Sequence, residues 1–151
     1  MNLEGILSIS GKPGLFKLIS QAKNKIIVES LIGGQRIPIH SHMQVNMLEE
    51  IGIYTYEDTK PIAEIFDSIA KKENGNKTIS HKSSTNDLTN YFRKILSDYD
   101  EERVYVSDIK KIIQWYNTLQ SSNLIKVPKK EKEKEKEKKK DKTKRKRNNE
   151  I

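Results

Sequence analysis

The sequence predicts an α+β protein in which a small five-stranded SH3-like β-barrel is followed by a helical unit of about three helices and a disordered basic tail. Three observations lead to this prediction. Short runs rich in β-branched and aromatic residues fill the first 58 residues. Apolar residues then recur at helical spacing to about residue 126, and the remainder is almost entirely charged. We therefore predict a barrel domain at 1–58, a helical domain at 59–126 and a disordered Lys/Glu-rich tail at 127–151.

Five runs in the first part are predicted to be strands: 3–9, 15–19, 25–31, 36–39 and 51–56. The segments "GKPG", "QAKN", "GGQ" and "SHMQVN" separate them and carry typical turn residues. Five short strands cannot bury both faces of an open sheet. Closure into a barrel would remove the exposed edges and enclose a small core.

The "GKPG" segment contains two glycines beside a lysine, as a phosphate-binding loop or a tight turn would. A phosphate-binding loop must lead directly into a helix, whose N-terminus then faces the anion. Here "LFKLIS" follows, and its alternation is that of a strand. Pro13 suits the second position of a type II turn and Gly14 the third. We interpret the segment as a hairpin turn and Lys12 as an incidental exposed cation.

Apolar residues at helical spacing predict three helices. The first is capped by Thr59 with Pro61 in its first turn, the second begins at Ser84 or Thr85, and the third is capped by Ser107. A polar linker at about 73–84 separates the first two. The three apolar stripes are Ile62, Ile65, Phe66 and Ile69; Leu88, Tyr91, Phe92, Ile95 and Leu96; and Ile109, Ile112, Ile113, Tyr116 and Leu119. Residues 84–126 alone bury too little to be stable, so we expect them to dock on the first helix, on the barrel or on a partner.

A pair of histidines and an acidic loop each resemble part of a metal site, but neither has a complete set of ligands. His40 and His42 would lie on one side of an extended segment, but the chain has no cysteine to complete a zinc site. The acidic loop at 98–102 has the first three ligand spacings of a calcium loop. However, Arg103 stands where such a loop needs glycine, and Ile109 where it needs a bidentate Glu. We predict no metal and no cofactor.

No catalytic constellation of Ser, His and Asp and no paired carboxylates are evident in the sequence, and we expect a protein that is not an enzyme. Trp115 lies at the edge of the apolar stripe of the third helix. An aromatic residue there either covers the margin of its own core or anchors a protein partner. Trp115 is therefore the candidate residue for protein interaction.

The positive charge lies mainly at the C-terminal end. The chain has 29 Lys or Arg and 21 Asp or Glu, of which 13 and 6 lie in residues 127–151, leaving 16 and 15 before them. The candidate nucleic-acid-binding residues are Lys138, Lys139, Lys140, Lys142, Lys144, Arg145, Lys146 and Arg147. Clustered Lys and Arg bind RNA or DNA without sequence preference through counterion release. A tail that only keeps the protein soluble is an equally good interpretation.

No signal peptide and no segment of about 20 apolar residues is evident in the sequence, and it has no cysteine. We therefore expect a cytoplasmic protein without a membrane partner.

Long strings of the sequence resemble a family of small uncharacterised Bacteroidetes proteins. The strings are "LEGILSISGKPGLFKLISQAKN", "IVESL", "IYTY" and "YFRKILSDYDEERVYVSDIKKIIQWYN". That family has an N-terminal domain of unknown function followed by a second, helical domain of unknown function. The resemblance implies a two-part bacterial protein and assigns no catalytic or binding residue.

Two functions from different classes remain open. The first is a non-enzymatic binding or adaptor protein whose basic tail gives weak, non-specific attachment to RNA, DNA or ribosomes. The alternative is a protein-protein interaction module with a merely solubilising tail, in which the barrel and the Trp115 helix dock the partner.

Overall fold

The computed structural model describes residues 2–23 and 25–125 of the chain. Its first half is a five-stranded antiparallel sheet in the order β4-β3-β2-β1-β5. The strands are β1 (Ile6–Ile9), β2 (Lys12–Ala22), β3 (Lys25–Ser30), β4 (Arg36–Ile39) and β5 (Val45–Met47). The α+β class is confirmed. The predicted disordered tail and its eight basic residues lie outside the described residues.

The fifth strand of the sheet is not the one that the sequence predicts. Val45–Met47, which we assigned to a polar turn, pairs with β1. The segment predicted as the fifth strand instead forms β6 (Gly52–Tyr54), which pairs with β7 (Thr59–Pro61) in a separate two-stranded sheet. Val45 and Met47 lie on the same face of a strand because side chains alternate, and both pack on a small apolar cluster. This alternation is too short to stand out beside the polar residues around it.

Closure of the sheet into an SH3-like barrel is not confirmed. Strands β4 and β5 are the two edges of the sheet, and among the described strands they pair with β3 and β1 but not with each other. One face of the sheet nevertheless has its own buried cluster of Leu7, Ile9, Phe16 and Val28, on which Met43 of the β4–β5 connection packs. The apolar interior that we attributed to a closed barrel is thus present on one face of an open sheet.

The hairpin turn between β1 and β2 is made by Ser10 and Gly11, because Ile9 pairs with Lys12. Gly11 has φ +85°, as the third position of a type II turn requires. Gly14 has φ +84°, so its predicted positive φ is confirmed, but its predicted place in the turn is wrong. It lies within β2, where three residues stand opposite the single residue Ser8 between the pairs Leu7↔Phe16 and Ile9↔Lys12. Gly14 therefore permits a bulge in the strand.

Three helices follow: α1 (Ile62–Glu73), α2 (Thr85–Ile95) and α3 (Val106–Ser121). The hydroxyl of Ser84 caps α2 by accepting a hydrogen bond from the backbone N–H of Asp87 at 3.1 Å, as predicted. The predicted caps of the other two helices are wrong. Thr59 belongs to β7, and Pro61 is the N-cap of α1. Ser107 lies inside α3, whose first turn is held by the Asp108 carboxylate accepting from the Tyr105 N–H at 3.0 Å.

One hydrophobic core joins the large sheet to the helices. It includes Leu3, Ile6 and Leu15 from the N-terminal part together with the buried stripes of all three helices. The polar linker after α1 is also fastened to this unit, since the N–H of Thr78 donates to Asn117 Oδ1 at 2.8 Å. The helices therefore dock on one another and on the sheet.

None of the helices in residues 2–125 combines the length and the hydropathy of a membrane span.

Candidate functional site: a groove beside Trp115

Two adjoining cavities lie beside helix α3 and form what we call the Trp115 groove. The first has a volume of about 240 Å³ and lies between α3 and the β6 region. The second has a volume of about 250 Å³ and lies between α3 and the β1–β2 turn. Ile51, Lys111 and Trp115 line both cavities, so the two adjoin at these residues.

The helical side of the groove is a stripe on α3 made by Asp108, Lys111, Ile112 and Trp115. Their spacing of three, one and three residues places them on one face over two helical turns, a length of roughly 10 Å. Trp115 is half-buried and packs against the main core. One part of the indole ring is therefore held by the fold, and another part is left at the groove.

The opposite walls differ in chemistry. The first cavity is lined mainly by apolar residues, among them Ile51, Ile53, Ile62 and Val104. The second is lined by the turn residues from Ser8 to Gly14, and by Asn46 and Gln114. The groove thus has an apolar half and a polar half, with Trp115 where they meet.

The charged residues of the groove are mostly basic. Lys12 and Lys111 are both exposed, and neither forms an ion pair within residues 2–125. Arg103, in contrast, donates to Asp100 Oδ2 at 2.8 Å and lies over the Tyr54 ring at 4.3 Å. That bond from Arg103 lowers the pKa of Asp100. The Asp108 carboxylate accepts from the neutral Tyr105 N–H and keeps its negative charge in the first cavity, whereas two cations, Lys12 and Lys111, line the second.

The groove contains one residue that the sequence predicted as a site residue and several that it did not. Trp115 lies at the centre of the groove, which agrees with either interpretation given above, since it both covers the core and faces a cavity. Lys12, which we interpreted as incidental, lines the second cavity. Lys111 and Ile51 were missed. The spacing of Lys111 from Trp115 placed it on the same helical face, but the opposite wall depends on contacts between segments distant in the sequence.

The histidines and the acidic loop do not assemble a metal site. The rings of His40 and His42 are stacked with centroids 5.8 Å apart, and both residues are exposed. Throughout the described ranges, no group of three or more His, Asp or Glu side chains is placed to hold a metal ion. In the acidic loop, Glu101 bonds to Arg93 and Asp100 to Arg103. These ion pairs fasten the loop to its neighbours.

The comparisons with known proteins agree with the two-part organisation. Residues 3–48 match a domain of unknown function (DUF5606), and residues 51–119 match a second domain of unknown function (DUF6852). The chain is also similar to a protein from Bacteroides vulgatus whose solution NMR structure was determined by structural genomics. Identity is 43%, the match covers 83% of this chain and 91% of that chain, and the TM-score is 0.69.

The chain belongs to this two-domain family. The Trp115 groove takes residues from both matched domains, since Lys12 lies in the first and Trp115 in the second. No curated protein matches the chain.

Proposed function

We propose that this protein is a non-enzymatic binding or adaptor protein whose folded part docks an extended segment of a protein partner in the Trp115 groove. One observation carries the proposal: a half-buried tryptophan lines two adjoining cavities, and two exposed lysines line the second of them. Partly buried aromatic residues in a concave surface are typical anchors of protein interfaces. The fold supplies the cavity and the anchor, while the partner supplies the segment.

The arrangement favours an extended segment over a large flat partner. The groove runs along about two turns of α3, which matches three or four residues of extended chain at roughly 3.3 Å each. Its walls are rigid elements, namely a helix and two β-structures that share the core. Binding would therefore cost little ordering of the protein itself.

The chain has a built-in reporter for this site, because Trp115 is its only tryptophan. A display library of random peptides of about twelve residues is selected against the full chain after nuclease treatment. We expect selected peptides to shift the fluorescence maximum and the indole N–H resonance of Trp115, because they remove water from the ring. If none of the peptides that bind changes the Trp115 signal, the groove is not the docking site.

A second candidate function is supported by the charge distribution in the sequence. The folded part is almost neutral, whereas residues 127–151 have a net charge of +7 from 13 basic and 6 acidic residues. We propose that this tail gives weak, non-specific attachment to RNA, DNA or ribosomes. For such binding, the logarithm of the affinity falls linearly as the logarithm of the salt concentration rises. Titrating the full chain with RNA at several salt concentrations tests it, and a salt-independent affinity would contradict it.

A further inference from the structure

We propose that the segment held by the Trp115 groove is acidic, with carboxylate side chains flanking one apolar or aromatic residue. This inference rests on the docking function proposed above and names the chemistry of the partner. It follows from the arrangement of the groove, in which a mainly apolar cavity adjoins a cavity lined by two lysines.

The apolar cavity calls for a bulky apolar side chain. Its volume of about 240 Å³ exceeds the roughly 150 Å³ that holds benzene in an engineered protein cavity. Ile51, Ile53 and Ile112 offer dispersion contacts to such a group, and its insertion would remove apolar surface from water. A single aromatic or large aliphatic residue therefore fits the apolar half.

The polar half calls for negative charge. Lys12 and Lys111 approach the second cavity from the β1–β2 turn and from α3, and none of the described residues that line that cavity is acidic. In the first cavity, Asp108 is the single acidic residue among the described lining residues, and its carboxylate accepts from the Tyr105 N–H at the start of α3. In the second cavity, an incoming carboxylate meets two cations that form no ion pair within residues 2–125, whereas an incoming lysine meets repulsion.

The charge also disfavours one alternative occupant, the basic C-terminal block of this chain. The C-terminal block 138–147 holds eight basic residues and one Asp. Such a segment would place like charges beside Lys12 and Lys111, which is unfavourable. The proposed occupant is therefore a segment of another protein.

The experiment uses the full chain, free of nucleic acid, and the random peptide library described above. Acidic peptides will also bind the basic tail, so only peptides that change the Trp115 signal are scored. Each scored peptide is compared with a version in which Asp and Glu are replaced by Asn and Gln. Two charge-reversed variants are compared: Lys12→Glu with Lys111→Glu in the groove, and Lys77→Glu with Lys94→Glu at exposed positions outside it.

We expect the scored peptides to carry carboxylates around an apolar residue. The amide versions should bind about tenfold more weakly, as the loss of two exposed ion pairs predicts. The groove variant should lose affinity to a similar extent, and the control variant, with the same change in net charge, should keep it. Retained affinity in the groove variant would overturn the inference.

Other outcomes separate the two proposals. Scored peptides without enrichment of Asp and Glu, or amide versions of equal affinity, would overturn the acidic partner and leave the docking function standing. A single-stranded oligonucleotide that shifts the Trp115 signal would overturn the acidic partner as well and assign the groove to nucleic acid. A library in which no peptide changes the Trp115 signal would overturn the docking function itself.

Discussion

At the residue scale, Gly14 has a backbone conformation that few other residues accept. Its φ is +84°, and a Cβ placed there would lie 3.2 Å from Ile32 Cδ1. Residues with a Cβ are strained in this region, β-branched residues most of all. The bulge of β2 therefore depends on this glycine.

We expect Gly14→Val to lower the free energy of unfolding by roughly 1 kcal/mol or more. Gly14→Asn should lose less, because asparagine tolerates positive φ better. Lys12→Ala, two residues away at an exposed site, is the control and should be close to neutral. Urea denaturation of the three variants measures this. A Gly14→Val protein as stable as the parent would show that the bulge relaxes without cost.

The candidate site was only partly predictable at this scale. The helical spacing placed Trp115 at the margin of its stripe, and the structure has it half-buried there. The significance of Lys12 could not be foreseen, because it depends on α3 lying beside a turn about one hundred residues earlier in the chain. Local pattern predicts which side chains share a face, but not which faces meet.

At the element scale, the helices were easier to predict than the strands. A stripe of four or five apolar residues over three turns is a strong signal, and all three predicted helices are present. Strands of three residues, such as β5 and β7, offer one or two alternations, and both were missed. Pairing partners decide the structure of such short segments.

The helix packing buries three tyrosines and so makes stability depend on pH. Burial raises the pKa of Tyr116 from 10.0 to about 12. Burial and the bond to Glu73 raise the pKa of Tyr91, and burial raises that of Tyr99. The folded state thus favours the neutral phenol. The neutral phenol of Tyr116 contributes fully to stability below pH 10. This contribution is lost as the pH rises from about 10 towards 12, because the unfolded chain loses its phenol proton first.

We therefore expect the free energy of unfolding to fall above pH 10, by up to about 1.4 kcal/mol per pH unit for each buried phenol. Tyr116→Phe should flatten this fall. At neutral pH it should cost about 1 kcal/mol, because its hydroxyl donates to the Asn76 carbonyl at 2.8 Å. Urea denaturation between pH 8 and 11 measures both effects. Tyr105→Phe, at a site 63% exposed, is the control, and an equal change in both variants would contradict the assignment to burial.

At the scale of the whole molecule, the two matched domains share one core. Leu15 of β2 is fully buried in the same cluster as the stripes of α1, α2 and α3. The predicted boundary at residue 58 remains a prediction about sequence organisation. The shared core implies that the two parts unfold together.

Leu15→Ala should test this sharing, because it acts on the sheet while Trp115 reports on α3. We expect a loss of about 3 kcal/mol and one transition that is the same by circular dichroism and by Trp115 fluorescence. Ile19→Ala on the same strand, at a site 38% exposed, should change stability much less. A fluorescence transition that stays at its parental midpoint would show that the helices fold independently.

The shared core also predicts that residues 84–126 expressed alone should show low helicity and no cooperative melt.

The tail provides the last test, because the charge of the chain is so unevenly distributed. The 25 residues from 127 to 151 hold 13 of the 29 basic residues, and the part before them has 16 basic and 15 acidic residues. Deleting 127–151 should therefore abolish binding to RNA and DNA. The melting temperature should stay almost unchanged, since 127–151 is almost entirely charged or polar and offers little apolar surface to bury. Replacing the eight basic residues of 138–147 by serine in the full chain is the matched control for length and should have the same effect on binding.

Binding is measured by fluorescence anisotropy of labelled oligonucleotides at ~50 mM salt, where such contacts are strongest. Binding that survives the deletion would place the nucleic-acid site on the sheet or the helices. A full-length chain that binds neither RNA nor DNA would leave docking in the Trp115 groove as the function to pursue.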